Sequence, residues 1–169
     1  NVVEQQRTLI ANIFMEFADG GCLLDEVSRH SAPLPKRLTR RYFAEMTAGL
    51  AFLHRNQIAH NDFKLDNVLL VWDRAKRIKH CKLTDFGMSR FAWKDGVGLL
   101  RSTRHCGTRH FMAPEVIRCG LDRKSQVEYV PFIADIWSLG VSLHLMLTRE
   151  YPYEMPNRRG GDGKDEDES

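Results

Sequence analysis

The stretch from His60 to Leu70, His-Asn-Asp-Phe-Lys-Leu-Asp-Asn-Val-Leu-Leu, packs two carboxylates, an ammonium, two carboxamides and an imidazole into a short span. An apolar run follows directly. Asp62 and Lys64 are two apart, so an extended or turn backbone can aim both side chains into one cavity. A carboxylate can orient a hydroxyl, a lysine can neutralise phosphate charge, and an Asn oxygen suits a hard cation. Together these groups would suit phosphoryl transfer. A polar loop between a helix and a strand would hold the same residues, so this stretch alone leaves both readings open.

Three further motifs follow in order. Asp85-Phe86-Gly87 stands 23 positions after Asp62, Ala113-Pro114-Glu115 comes next with Gly107-Thr108 ahead of it, and Asp135-Ile136-Trp137-Ser138-Leu139-Gly140 closes the set. With His60, Asp62, Lys64 and Asn67, this series resembles the protein kinases. The family's catalytic loop reads H-R-D-L-x-x-x-N and is followed by D-F-G and A-P-E. The last motif is similar to the start of the long buried helix of the kinase large lobe. Asn61 and Phe63 depart from the loop pattern. The resemblance runs from about Asn1 to Pro152.

The elements needed to position these residues can be read along the chain. Residues 9–18 are apolar enough for a buried strand, and Asp19-Gly20-Gly21 follows as a turn. Leu23 to Ser28 suggests a short helix, with breaks at Pro33 and Pro35. Apolar residues at 42, 43, 46, 50 and 53 mark a helix over 39–55 that presents the catalytic loop at its C-terminal end. His54 is expected to sit against that helix's terminal carbonyls. Residues 68–71 and 81–84 read as two strands joined by a basic hairpin over 73–80. Residues 85–115 are polar, basic and glycine-containing, as in an activation segment rather than a core element. Phe132 to Leu147 is the most apolar segment, yet Asp135, Ser138, Ser142 and His144 suit it to a buried core helix better than a membrane span. From Asn157 onward no apolar residue appears, so a disordered acidic tail is expected over 157–169.

The resemblance implies an α+β, protein-kinase-like fold over residues 1–156, mostly the helical large lobe with the hinge strand. No glycine-rich G-x-G-x-x-G loop and no V-A-I-K lysine occurs in the sequence, so the small lobe is expected to be largely absent. It further implies a protein serine/threonine kinase that uses ATP and Mg2+ on a protein substrate, the lysine at 64 being the serine/threonine form. The 169 residues by themselves are then expected to be inactive. In the implied roles Asp62 accepts the proton of the substrate hydroxyl, Lys64 stabilises the transferring phosphoryl group, and Thr108 bridges the two. Asn67 and Asp85 would hold magnesium. Met15 takes the gatekeeper position, backbone at Glu16 and Ala18 the adenine, Cys22 the outer lip of the cleft and Leu69 its floor. His60 and Phe86 would pack in the family's hydrophobic spine, and Asp135 would bind the catalytic-loop backbone. Asn61 replaces an arginine that pairs with activation-segment phosphate, so it would cap nearby backbone instead, and phosphorylation at Ser102 or Thr103 would matter little. A catalytically silent kinase-like module that binds partners or nucleotide remains the alternative.

Composition narrows the other classes. Hydrophobic residues make up 43% and charged residues 28%, ordinary for a globular chain. The four cysteines, Cys22, Cys81, Cys106 and Cys119, lack Cys-x-x-Cys spacing, which argues against a disulfide framework or zinc site and for a reducing compartment. Net charge is +3, and the last eight residues carry five acids and one lysine, leaving 24 basic against 17 acidic residues before them. No aromatic residues interleave with these positives as a base-stacking platform requires, so nucleic acid is not expected as a partner. The N-terminal residues lack a basic start with an apolar run behind it, so no signal peptide and no membrane partner are expected, and the cytoplasm or nucleus is the expected compartment.

Overall fold

The computed structural model describes residues 13–121 and 127–153. Helices α1 (Leu23–Arg29) and α2 (Lys36–Arg55) are separated by the prolines at 33 and 35. Pro35 fixes its own backbone and offers its carbonyl to the amides of Leu38 and Thr39, so α2 begins three residues before the expected 39. One face of α2 buries Thr39, Tyr42, Met46, Leu50 and Leu53 at three- and four-residue spacing. The opposite face carries Arg40, Thr47 and Phe52 into solvent.

After α2 comes β1 (Ile58–Ala59), then a 3-10 turn (Leu65–Asn67) that leads into β2 (Val68–Asp73). Strand β3 (Ile78–Leu83) pairs antiparallel with β2, from Val68 opposite Leu83 to Asp73 opposite Ile78. Both strands are longer than expected, because the turn shortens to residues 74–77 and Asp73 Oδ1 accepts the Lys76 amide at 3.0 Å to close it. Alternation along β2 buries Val68 and Leu70 and turns Leu69 to the other side.

Between Asp85 and Glu115 lie three short strands that the sequence did not announce: β4 (Arg90–Phe91), β5 (Trp93–Lys94) and β6 (Gly98–Leu99). β4 pairs with β1, and β5 with β6. Their side chains are mostly exposed, so the segment is surface structure. Helices α3 (Pro114–Leu121) and α4 (Pro131–Thr148) complete the described chain, giving a mixed α+β domain with small antiparallel sheets.

α4 starts on Pro131, a residue whose missing N–H costs nothing in a first turn, and ends on Arg149 in the left-handed conformation. With a mean hydropathy of 1.3 over 18 residues it is the one described helix long and apolar enough to cross a membrane. Half of it is buried within the protein, and its buried hydroxyls are satisfied there. Ser138 Oγ donates to the Phe111 carbonyl at 2.7 Å, and Ser142 Oγ to the Ser138 carbonyl at 2.9 Å. It behaves as the expected core helix. Leu139, Leu145 and Met146 meet Tyr42, Met46 and Leu50 of α2 in the main core, and a second cluster gathers Met112, Val116, Cys119, Tyr129 and Ala134.

The expected buried strand over 9–18 is not formed where the chain is described. Residues 13–18 make no β pairing, and Ile13, Phe14, Met15 and Phe17 stand exposed. An apolar run becomes a buried strand only when a neighbouring strand takes up its N–H and C=O groups, and no such neighbour exists among the described residues. Residues 9–12, the tail over 157–169 and the boundary at 156 lie outside the described residues.

Candidate active site

The loop between α2 and β2 is held from below by a single buried carboxylate. Asp135, 1% exposed on α4, accepts the His60 amide on Oδ2 and the Asn61 amide on Oδ1, both at 2.8 Å. His54 Nε2 donates to the same Oδ2 at 2.9 Å, and its ring lies 4.6 Å from that of Phe132. This corrects the expected role of His54. A carboxylate 81 residues away outcompetes the helix's own carbonyls, because a buried anion must collect donors.

His60 is fully buried, with Nε2 3.0 Å from the Thr84 carbonyl. A carbonyl only accepts, so the ring proton sits on Nε2 and Nδ1 is left to accept the Asp62 amide at 3.4 Å. The ring also meets Phe63 edge-on and Phe86 at 5.5 Å. Phe86, expected inside a spine, is 48% exposed, since nothing among the described residues covers its outer face. Asn61 adopts a left-handed backbone, φ 64°, and its Nδ2 donates to the carbonyls of Met88 at 3.0 Å and Ala59 at 3.4 Å. It ties the catalytic-loop candidate to the Asp85-Phe86-Gly87 turn through backbone, as its short polar side chain suggests.

Asp62, Lys64 and Thr108 come together. Asp62 Oδ1 accepts both the amide and the hydroxyl of Thr108, each at 2.8 Å. Thr108 Oγ1 in turn accepts Lys64 Nζ at 2.8 Å, and Lys64 Nζ stands 3.5 Å from Asp62 Oδ2. Gly107 makes this approach possible: its φ is 108°, and a Cβ there would lie 2.8 Å from the Asn61 carbonyl. With Oδ1 saturated by two donors, Oδ2 of Asp62 is left beside the ammonium.

Asn67 and Asp85 leave the same end of the β2–β3 hairpin, where the Thr84 amide donates to the Asn67 carbonyl at 3.0 Å. Asn67 is buried, and its Nδ2 donates to the Asp62 carbonyl at 2.9 Å. That leaves Oδ1 of Asn67 with no donor on it among the described residues. Asp85 is exposed and left-handed, φ 58°, and among the described residues only its Oδ1 is engaged, by the Gly87 amide at 3.3 Å. One carboxylate and one carboxamide oxygen fit magnesium, which keeps waters and phosphate oxygens for its other positions. Among the described residues no group of three or more His, Cys, Asp or Glu is placed to hold a metal ion.

The remaining candidates sit apart from this cluster in character. Met15 is 76% exposed, Glu16 pairs with Lys82 at 3.3 Å, and Ala18 is half-buried. Cys22 forms an isolated bridge opposite Leu69, so the two share one surface. The Cys22 thiol also caps α1, accepting the Asp25 amide at 3.4 Å, a role the sequence did not signal because cysteine is rare as a cap. Burial pushes the thiols of Cys22, Cys81 and Cys119 up, which disfavours their thiolates. Ser89, whose hydroxyl donates to the His60 carbonyl at 3.2 Å, had no sequence signal at all.

A family model described as protein kinase domain matches residues 1–168. The chain is similar to protein kinase C epsilon type of Oryctolagus cuniculus, 36% identical over 143 residues covering 85% of this chain and 17% of that protein. It is 39% identical over 142 residues to serine/threonine-protein kinase SAPK4 of Oryza sativa subsp. japonica, covering 84% and 35%. It is 37% identical over 145 residues to serine/threonine-protein kinase grp of Drosophila melanogaster, covering 86% and 25%. The chain thus spans about a sixth to about a third of the length of these relatives.

Proposed function

The chain belongs to the protein kinase family, and on that premise we propose that it serves a serine/threonine protein kinase, moving the γ-phosphoryl group of ATP to a Ser or Thr hydroxyl of a protein. The observation that carries this reading is the Asp62–Thr108–Lys64 cluster. Oδ1 of Asp62 is saturated by Thr108, so Oδ2 is left to orient an incoming hydroxyl and take up its proton. Lys64 Nζ, 3.5 Å away, is placed to neutralise charge on the group being transferred. Asn67 and Asp85 would hold the cation, and a bound magnesium–ATP supplies the phosphoryl group and offsets charge on its oxygens. Leu69 and Cys22 form a half-buried surface suited to an adenine, with Met15, Glu16 and Ala18 as the adjoining hinge. On this reading the described residues belong mainly to the large lobe, the partners are ATP and a Ser/Thr-containing protein, and the compartment is the cytoplasm or nucleus.

The full-length protein, assayed with magnesium–ATP on serine and threonine peptides, is expected to transfer phosphate. Asp62→Asn is expected to slow turnover by about 10²- to 10⁴-fold with ATP binding retained. Full turnover in that variant would refute the assignment. Nucleotide binding without turnover in the unaltered protein would favour a kinase-like binding module instead.

A further inference from the structure

The first turns of α2 read Lys36-Arg37-Leu38-Thr39-Arg40-Arg41, four cations in six residues with no acid among them. This arrangement is unfavourable for an isolated helix. Cations at a helix N-terminus oppose its dipole, and like charges four apart, Lys36 with Arg40 and Arg37 with Arg41, repel. Nothing nearby relieves it: the adjacent carboxylates Glu26 and Glu45 are taken by Lys79 and by His80 with the Cys81 amide. None of the four cations is ion-paired among the described residues.

Beside this turn a groove opens between α2 and the start of β3, lined by Pro35, Arg37, Leu38, Arg41 and Ile78. Its floor is apolar and its wall cationic. Arg41 is anchored there, its Nη2 donating to the Lys79 carbonyl at 3.2 Å and its guanidinium lying over the Tyr42 ring. Yet its Nε–H is buried without any hydrogen-bond partner. That atom is enclosed, so Arg41 offers the groove its charge rather than this donor.

We propose that this groove is a docking site for an acidic peptide that carries an aliphatic side chain. The carboxylates would meet Arg37 and Arg41, one helical turn apart, and the aliphatic group would cover Pro35, Leu38 and Ile78. The groove has no aromatic wall, which disfavours a stacked nucleobase. The chain's own acidic end, Asp162 to Ser169, has no apolar residue to fill the floor. Because Arg37 lies 18 residues before Arg55 on one helix, the groove is about 27 Å from the catalytic-loop end of α2. It is therefore a surface for holding a partner rather than for reacting with it, and it stands independently of the phosphotransfer reading.

The test uses the full-length protein and a short fluorescein-labelled peptide of Asp and Glu around a central Leu, followed by anisotropy. The peptide is expected to bind. Replacing its Leu by Ser should weaken binding roughly tenfold, the value of one buried aliphatic group. Arg37→Glu, an exposed change that leaves the fold intact, should weaken it by roughly tenfold or more, with an unchanged urea unfolding curve as control. Equal affinity for the Leu and Ser peptides, indifference to Arg37→Glu, or tighter binding of an oligothymidylate than of the peptide would each overturn the proposal.

Discussion

Two aspartates of the candidate site, Asp62 and Asp85, have opposite surroundings. Asp62 is mostly buried, its carboxylate is fixed by both donors of Thr108, and its backbone rests on a loop that Asp135 anchors. Asp85 is exposed, held by one 3.3 Å bond from Gly87, and followed by a half-exposed Phe86. A group that must aim at one hydroxyl gains from a rigid setting. A group that must meet a cation arriving with its own oxygens can keep an open lone pair and wait for the rest of the shell. The contrast is between preorganised and adaptable surroundings on the two sides of one hairpin, Asp62 before β2 and Asp85 after β3.

The strongest way to break that contrast is to remove the anchor. Asp135→Ala strands two buried loop amides and the His54 ring, and is expected to cost about 3–5 kcal/mol in urea unfolding. A loss below about 1 kcal/mol would mean the loop is rigid for some other reason. Next in size is Gly107→Ala, which forces a Cβ against the Asn61 carbonyl at a backbone angle other residues avoid. About 1–3 kcal/mol is expected, with lowered activity. Gly140 is the control: a Cβ there meets nothing within 4 Å in mid-helix, so Gly140→Ala should stabilise by about 0.5–1 kcal/mol.

Smaller still is the effect of Asp85→Asn on folding, expected within about 0.5 kcal/mol because the side chain is exposed and barely bonded. The same variant should need more magnesium for half-maximal activity, measured by titration of the full-length enzyme. A marked drop in stability would place Asp85 among the preorganised groups. The smallest effect is expected from Ser102→Ala with Thr103→Ala. Ser102 is fixed by two 2.9 Å backbone bonds with Tyr129, and Asn61 already ties the loop to Met88 without any phosphate. Peptide phosphorylation by that double variant should stay within the same order of magnitude as the unaltered protein, and a larger loss would reveal a cation that reads phosphate there.

What the sequence disclosed and what it hid divide along the distance over which each residue finds its partner. The α2 stripe and the β2–β3 hairpin are local patterns that spacing alone revealed, while the Asp62–Asn67 loop was legible through its resemblance to the kinase catalytic loop. The bonds of His54 and Asn61 cross 81 and 27 residues to atoms that spacing cannot supply. The apolar run at 13–18 misled for the related reason that a strand is defined by its neighbour. Cys22 as a cap and Ser89 beneath His60 are single polar atoms whose targets are backbone, and backbone leaves no trace in composition.

The Asp135 anchor also has a consequence in time. The carboxylate lies 75 residues beyond the His60 amide that it holds. At about 5–20 residues per second of synthesis, the ribosome delivers that anchor about 4 to 15 seconds after the loop itself. During that interval Asp62 and Lys64 exist on an unsupported strand of nascent chain, which is when chaperones and proteases have access to them. The candidate loop of this chain is thus completed only after α4 has been made.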